Sequence, residues 1–555
     1  VPAERIATDP YTLLSASPSR HSRIPPPPGL YGASRVNSRG LDFSQKQVRD
    51  RITDAIATLD KAGPASVGPI VAGKTSTTKA DDTKAPADAS RIVGRVASAT
   101  DADIDTAYAS ALDYQPHWNA IGGAKRADIL EAMANAMEQD TDRLIAILAR
   151  EGGKTLDDCI AEVREAVDFC RYYAVEAETK FHGLETLPGP AGETNGIELM
   201  GRGIFVCISP WNFPLAIFTG QIAGALAAGN TVLAKPAEQT PVIAHEAVKL
   251  FHAAGLPVEA LHLLTGDGRV GGKLTGDARC GGVAFTGSTE VARIINRTLA
   301  AKDGPIAPLI AETGGLNALF CDTTALKEQV VDDVIMSGFR SAGQRCSALR
   351  VLFLPHETAD DIIEMIKGAM DVLIIGDPAD PSTDVGPIID AEARKLLDDH
   401  LAKMIAAGFA VHQRNIGVLR ERGTFFGPAI VELPGLSHID REIFGPILHV
   451  IRYDPDDIEQ VGGALSAKGY GLTLGVHSRL EGFAEKVKAA VRAGNVYVNR
   501  SIIGAVVGVQ PFGGSGLSGT GPKAGGPHYL ARFATERVVT VNIAAQGGDP
   551  TLLNL

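Results

Sequence analysis

Positive charge is in short supply in this chain. Lys and Arg number 53 against 65 Asp and Glu, for a formal net charge of −12 and a pI near 5.6. That balance argues against phosphate-backbone binding by this chain and for a soluble, cytosolic protein. Cysteine is sparse as well. The six cysteines (159, 170, 207, 280, 321 and 346) form no CxxC pair. Their scatter fits single thiols in a reducing compartment better than a disulfide framework or a zinc site. The 13 histidines include no HxxxH, which leaves a metal site without support. No apolar run reaches membrane length: the longest, from Leu215 to Ala228, is interrupted by Thr219, Gly220 and Gln221.

What is present is a chain of 555 residues, 45% of them hydrophobic, enough for two or three domains. It opens on Val1, carries no signal peptide, and reads as a piece of a longer polypeptide. Residues 1 to about 45 are polar and proline-rich, including Pro25 to Pro28, and suggest a linker or wrapping arm. Helical spacing runs over Gln45–Ala62, over one long helix Ala124–Arg150 stopped by Gly152-Gly153, and over Leu156–Glu178. Gly73–Ser90 reads as a loop or edge hairpin. From Gly203 onward, short apolar runs (Gly203–Ile208, Thr231–Ala234, Leu261–Leu264, Gly282–Phe285, Ala318–Phe320) alternate with helix-length stretches. This predicts parallel βαβ units covered on both faces. A second α/β domain is expected from Arg350–Leu354, Pro446–Tyr453, Leu472–His477 and Asn495–Asn499.

Gly266-Asp267-Gly268-Arg269-Val270-Gly271 matches a dinucleotide fingerprint, yet no acidic residue closes a second strand at the required distance, so it is weak evidence. Five other segments carry more. Ser209-Pro210-Trp211-Asn212-Phe213-Pro214 leaves an amide at a strand's carboxyl end, either an oxyanion donor or a helix cap. Lys235-Pro236-Ala237-Glu238 places a cation and a carboxylate just after a strand, for a ribose or as a solvated pair. Phe285-Thr286-Gly287-Ser288-Thr289 is a strand running into a helix start suited to pyrophosphate. Glu312 lies on the glycine loop Glu312-Thr313-Gly314-Gly315, where it can serve as a base. Cys346, within Gly343-Gln344-Arg345-Cys346-Ser347-Ala348, is either an interior cysteine or a thiol whose pKa Arg345 lowers.

In this order these segments, with Glu442-Ile443-Phe444-Gly445-Pro446, resemble the aldehyde dehydrogenase superfamily over roughly residues 60 to 545. The resemblance implies an α/β fold with a parallel-sheet, Rossmann-type NAD domain, an α/β catalytic domain and small β oligomerisation segments. It implies Cys346 as nucleophile, Asn212 with the Cys346 N–H as oxyanion donors, and Glu312 as the base that activates water. It places NAD against Ile208, Pro210, Trp211, Lys235, Glu238, Gly287, Ser288, Glu442 and Phe444, with Glu238 favouring NAD over NADP. Leu316 departs from the lysine usual in the family at that position.

For the substrate, Ser347 and the loop around Gly504 and Ala505 suit a distal carboxylate, and Phe213 with Phe512 suits a short aliphatic chain. The segment Gly504–Pro527 resembles the pyrroline-5-carboxylate dehydrogenases, which oxidise glutamate γ-semialdehyde. Leu30–Gly32 and Val36–Asp42 resemble the connector of the bacterial bifunctional proline utilization A family. That implies a proline dehydrogenase domain, with its FAD, in another part of the polypeptide, and a homo-oligomer. Divided on this basis, residues 1–60 are the arm and 61–315 the NAD domain, with an oligomerisation segment near 185–202. Residues 316–500 carry the nucleophile, and 501–555 the substrate loop, the return to the NAD domain, an oligomerisation strand and the tail. A dehydrogenase for another acidic aldehyde, such as succinate semialdehyde, and a catalytically silent module are the alternatives.

Overall fold

In a computed structural model the described residues are 2–9, 11–12, 15, 21, 23–190, 192–543 and 547. Two seven-stranded sheets organise the chain. The first runs, edge to edge, Leu309–Glu312, Cys280–Thr286, Ile204–Ile208, Thr231–Lys235, Leu261–Leu263, Ile70–Val71, Lys74–Thr75. Its first five strands are parallel and its last two antiparallel. These central strands are nearly continuous apolar runs because helices cover both faces and leave no side to water. Ile204, Phe205 and Val206 are wholly buried.

Strand order reverses at Ile204–Ile208: the chain builds outward on one side through Thr231–Lys235 and returns to the other with Cys280–Thr286. A crevice therefore opens beyond the carboxyl ends of these two neighbours, where Pro210–Asn212 and Gly287-Ser288 emerge. The helix Ala216–Ala227, which lies between this sheet and the helix Leu156–Lys180, is buried on almost every side. Gly220 allows that close approach, since a Cβ there would lie 2.9 Å from the Phe169 ring.

The second sheet has the order Val411–Gln413, Ala429–Leu433, Ile447–Tyr453, Val351–Pro355, Ala318–Cys321, Thr473–His477, Asn495–Val498 and is parallel except for the first pair. Of these strands, Ala429–Leu433 and Val411–Gln413 were not expected from the sequence. A separate antiparallel sheet joins Glu185–Leu187, Glu193–Gly201 and Ala534–Asn542. Residues 73–90 do contain a hairpin arm: Ala80–Ala85 pairs antiparallel with Asp88–Ala97.

The long helix expected over Ala124–Arg150 is two helices, Gly123–Gln139 and Thr141–Glu151, broken at Asp140. Arg143 takes the Asp140 carboxylate at 2.8 Å, while Thr141 turns its hydroxyl back onto the Met137 and Glu138 carbonyls. Local side-chain bonds of this kind compete with the helical ladder. The arm is not a free linker throughout, because Asn37 and Ser38 are buried against the helix Leu156–Lys180, where Ser38 bonds Asp168. The expected tail, 538–555, falls outside the described residues from 544 on, apart from Gly547.

Candidate active site

After the helix Lys327–Phe339 the backbone turns left-handed at three consecutive residues, Ser341 (φ 55°), Ala342 (φ 52°) and Gly343 (φ 64°). Two of these are not glycine, so the turn is strained and needs support. Asp158, wholly buried on the helix Leu156–Lys180, provides it. Its carboxylate accepts from Ser341 Oγ at 2.6 Å, Arg340 Nε at 2.8 Å and Arg345 Nη2 at 2.7 Å. Burial pushes the Asp158 carboxyl up, but Arg345, Arg340 and Lys154 outweigh it and hold the group well below the usual range. Gly343 is required for a second reason: a Cβ there would lie 2.3 Å from the Gly445 carbonyl oxygen.

This arrangement corrects one expectation. Arg345 does not lower the Cys346 thiol, because its guanidinium is committed to Asp158 and to Ser341 Oγ at 2.8 Å. The thiol is instead pushed up to about 12 by burial, with Glu442, Glu312 and Glu165 adding to the shift. Asn212 is likewise not a helix cap. The start of the helix Ala216–Ala227 is held by Glu162, which accepts from Leu215 N at 2.7 Å and Ala216 N at 3.3 Å. The Asn212 side chain is free to face the turn and donates Nδ2 to the Gln344 carbonyl at 3.0 Å.

Two cavities meet at Cys346. The larger, about 740 Å³, lies in the crevice of the first sheet and is lined by Pro210, Trp211, Asn212, Glu238, Gly287, Ser288, Glu442 and Phe444. Trp211 and Phe444 stand edge to face, 5.6 Å between centroids. Ser288 caps the helix Thr289–Ala301, and Ser288, Thr289 and Glu290 at the helix start line this cleft. Glu442 is held by Arg350 Nη2 at 2.9 Å and by Gly315 N at 3.2 Å; burial still raises its pKa. Ile208 and Lys235 do not line the cavity. Lys235 is buried and is no solvated partner: its Nζ donates to Pro236 O at 3.0 Å and lies 3.9 Å from Glu238. An acidic rim, a ring pair and a helix N-terminus together fit a dinucleotide such as NAD.

The smaller cavity, about 110 Å³, lies on the other side of the thiol. All five residues expected for the substrate line it: Phe213, Ser347, Gly504, Ala505 and Phe512. Glu312 joins them. It is the last residue of its strand, with Oε2 accepting from Gly514 N at 3.3 Å and Oε1 without a partner. Burial pushes this carboxyl up to about 8, against the pull of the Gly514 N–H and Lys523. Among the described residues, Ile217, Thr286, Thr313 and Cys346 line both cavities.

Sequence reasoning missed Lys154, Asp158, Glu162 and Glu165 here, and the position of Arg345 over a ring. Lys154 donates Nζ to the Asn212 carbonyl at 2.6 Å, pairs with Glu162 at 3.1 Å and sits 4.4 Å from the Phe213 ring centroid, so it fixes both neighbouring residues. Arg345 lies over the same ring at 5.1 Å. Glu165 lines the smaller cavity with its pKa pushed up to about 7 by burial and by Glu162, against Arg345 and Lys154. Lys154, Glu162 and Glu165 lie far in sequence from every motif; an acid at three-residue spacing on one helix face was the available signal. Among the described residues there is no cluster suited to a metal ion, and no helix is long and apolar enough to cross a membrane. The Gly266–Gly271 motif forms the start of the helix Gly268–Gly276, capped by Asp267, and does not line the cleft.

Comparison with known proteins agrees with this geometry. The model of the aldehyde dehydrogenase family matches residues 73–539. The bifunctional protein PutA of Klebsiella aerogenes is 45% identical over 575 residues, covering 100% of this chain and 42% of that protein, so the chain spans less than half of that relative. A 1-pyrroline-5-carboxylate dehydrogenase of a Geobacillus species is 33% identical over 82% of this chain and 88% of its own length. A crystal structure of 1-pyrroline-5-carboxylate dehydrogenase from Thermus with bound NAD superposes with a TM-score of 0.85 at 32% identity, covering 91% of this chain and 98% of that one. With the family model matching most of its length, the chain belongs to the aldehyde dehydrogenase family.

Proposed function

We propose that this chain oxidises L-glutamate γ-semialdehyde, the open form of 1-pyrroline-5-carboxylate, to L-glutamate with NAD. The observation that carries the reading is the position of Cys346 between a large cleft and a small pocket that holds Glu312, Ser347, Glu165 and the Gly504–Ala505 loop.

Cys346 is the nucleophile. The thiol releases its proton to water, its sulfur adds to the aldehyde carbon as the C=O π bond opens, and Asn212 Nδ2 with the Cys346 N–H receives the oxygen as it becomes anionic. Asn212 exchanges its bond to Gln344 for this one. Bound NAD, held by Glu238, Gly287, Ser288, Glu442 and Phe444, would supply the hydride acceptor; loss of hydride from the same carbon would leave a thioester on Cys346. Glu312 then takes a proton from water as the water attacks the thioester, releasing the acid and returning the thiol. Glu238, with Lys235 behind it at 3.9 Å, is assigned to the adenine ribose, Gly287 and Ser288 to the pyrophosphate, Glu442 and Phe444 to the nicotinamide riboside, and Pro210 and Trp211 to the walls; Ile208 lies behind them, outside the cleft lining.

In the pocket, Ser347 and the N–H groups at Gly504 and Ala505 receive the distal carboxylate, and Phe213 with Phe512 flanks the chain. Glu165 is placed to accept the α-ammonium. The α-ammonium would favour the ionised form of this raised carboxyl, and that pairing favours an amino-acid aldehyde over succinate semialdehyde, which brings only negative charge. The intact set of Cys346, Asn212 and Glu312 speaks against a silent module.

As support for the wider assignment, the relative PutA is bifunctional by name, and we place the proline dehydrogenase activity and its FAD in the part of the protein that this chain does not span. The sheet with Ala534–Asn542 exposes Val538 and Val541 and is our candidate for homo-oligomer contact, in a cytoplasmic enzyme.

The test is NADH formation from pyrroline-5-carboxylate, succinate semialdehyde and propanal by the wild type and by Cys346→Ala. A far higher kcat/KM for pyrroline-5-carboxylate, lost in the variant, supports the assignment. Equal rates with all three aldehydes would leave the family chemistry standing and remove the substrate.

A further inference from the structure

The pocket loop Gly504–Gln510 is braced from behind by the N-terminal arm. Arg35 donates Nη2 to the Val507 carbonyl at 2.6 Å, and among the described residues that carbonyl receives no other hydrogen bond. Val507 itself lines the substrate pocket with Gly504, Ala505 and Val506. The brace is rigid because the guanidinium is held on several sides. It lies 3.9 Å from the Tyr31 ring centroid and 5.4 Å from that of Tyr172, with the Asp168 carboxylate at 4.0 Å. Asp168 is in turn fixed by Ser38, through its N–H at 2.8 Å and its hydroxyl at 2.7 Å. The next loop residue, Gly508, has φ +76°, and a Cβ there would stand 3.0 Å from both Arg35 and Tyr172. Glycine is thus what lets the loop press onto the arginine.

The arm therefore grips both walls of the pocket: the helix Leu156–Lys180, which contributes Glu165 and Phe169, and the loop that presents Gly504 and Ala505. The family match begins at residue 73, so Arg35 lies outside the segment that defines the family. We infer that Arg35 is a positioning residue for substrate recognition, setting the loop that receives the distal carboxylate without touching the reacting atoms. This rests on the proposed amino-acid aldehyde substrate.

Such a role predicts a split that general loosening of the fold does not. The KM values for pyrroline-5-carboxylate, propanal and NAD are measured for wild type, Arg35→Met and Arg35→Lys. Arg35→Met raises KM for pyrroline-5-carboxylate about tenfold while those for propanal, which has no distal carboxylate, and for NAD stay within about twofold. Arg35→Lys keeps a donor within reach of the carbonyl and recovers most of the loss. An unchanged KM for pyrroline-5-carboxylate, or an equal rise for both aldehydes, overturns the inference. Should Arg35→Met not fold, Tyr31→Leu, which removes the ring under the guanidinium, is measured instead; it gives the same split at smaller size, and its absence is equally decisive. A wild type that does not prefer pyrroline-5-carboxylate to propanal fails at the earlier step, and overturns the substrate assignment itself.

Discussion

Asn212 donates its side-chain amide to the carbonyl of Gln344 at 3.0 Å, two residues before Cys346. The bond joins the first sheet's crevice to the strained turn that carries Cys346, and its donor is the one proposed above for the developing oxyanion. Loss of a single oxyanion donor costs about 3 kcal/mol of barrier. Asn212→Ala is therefore expected to lower kcat by roughly two to three orders of magnitude. A variant with wild-type kcat would remove Asn212 from the mechanism.

Glu312 carries a pH dependence of known sign. Burial raises its pKa from 4.5 to about 8, so the folded chain binds this proton more tightly than the unfolded chain. That contribution to stability is full below pH 4.5 and is lost as pH rises through about 8. Glu312→Gln keeps the shape and never ionises. Its Tm relative to wild type should climb between about pH 5 and about pH 9, and a flat difference would show that the carboxylate is not desolvated.

The same variant separates the two chemical steps. Without a base, thioester hydrolysis slows by roughly 10² to 10⁴. A first turnover of NADH should still appear as a burst, because hydride departure precedes the attack of water. If the burst vanishes with the steady state, Glu312 acts before the thioester forms.

The Cys346 thiol, pushed up to about 12, should be alkylated by iodoacetamide at a rate that rises about tenfold per pH unit from roughly pH 7 to 10. A plateau near neutral pH would restore the lowered thiol that its neighbour Arg345 first suggests.

Glu238 lines the cleft with a carboxylate that repels a 2′-phosphate. Glu238→Ser should reduce the preference for NAD over NADP, read as the ratio of the two kcat/KM values. An unmoved ratio would take the adenine ribose away from this residue.

What the sequence by itself determined is the set of local features. The apolar runs marked the central strands because a strand buried on both faces must be continuously hydrophobic, and the motifs stood in order at strand ends, where a parallel sheet opens its crevice. Asn212, Glu312 and Ser288 stood out for that reason, while Cys346 and the Gly504 loop stood out through the small and polar residues around them. The tertiary structure decided everything that depends on residues far apart in the chain. Arg345 is adjacent to Cys346 yet serves Asp158, so the thiol is raised where adjacency suggested the opposite. Helix Leu156–Lys180, otherwise an ordinary amphipathic stretch, supplies Asp158, Glu162 and Glu165 to three different parts of the site. Lys154 reaches Asn212, and Arg35 reaches Val507, across separations that no periodicity records. Desolvation and ion pairing depend on what packing brings together, and only the folded chain specifies that.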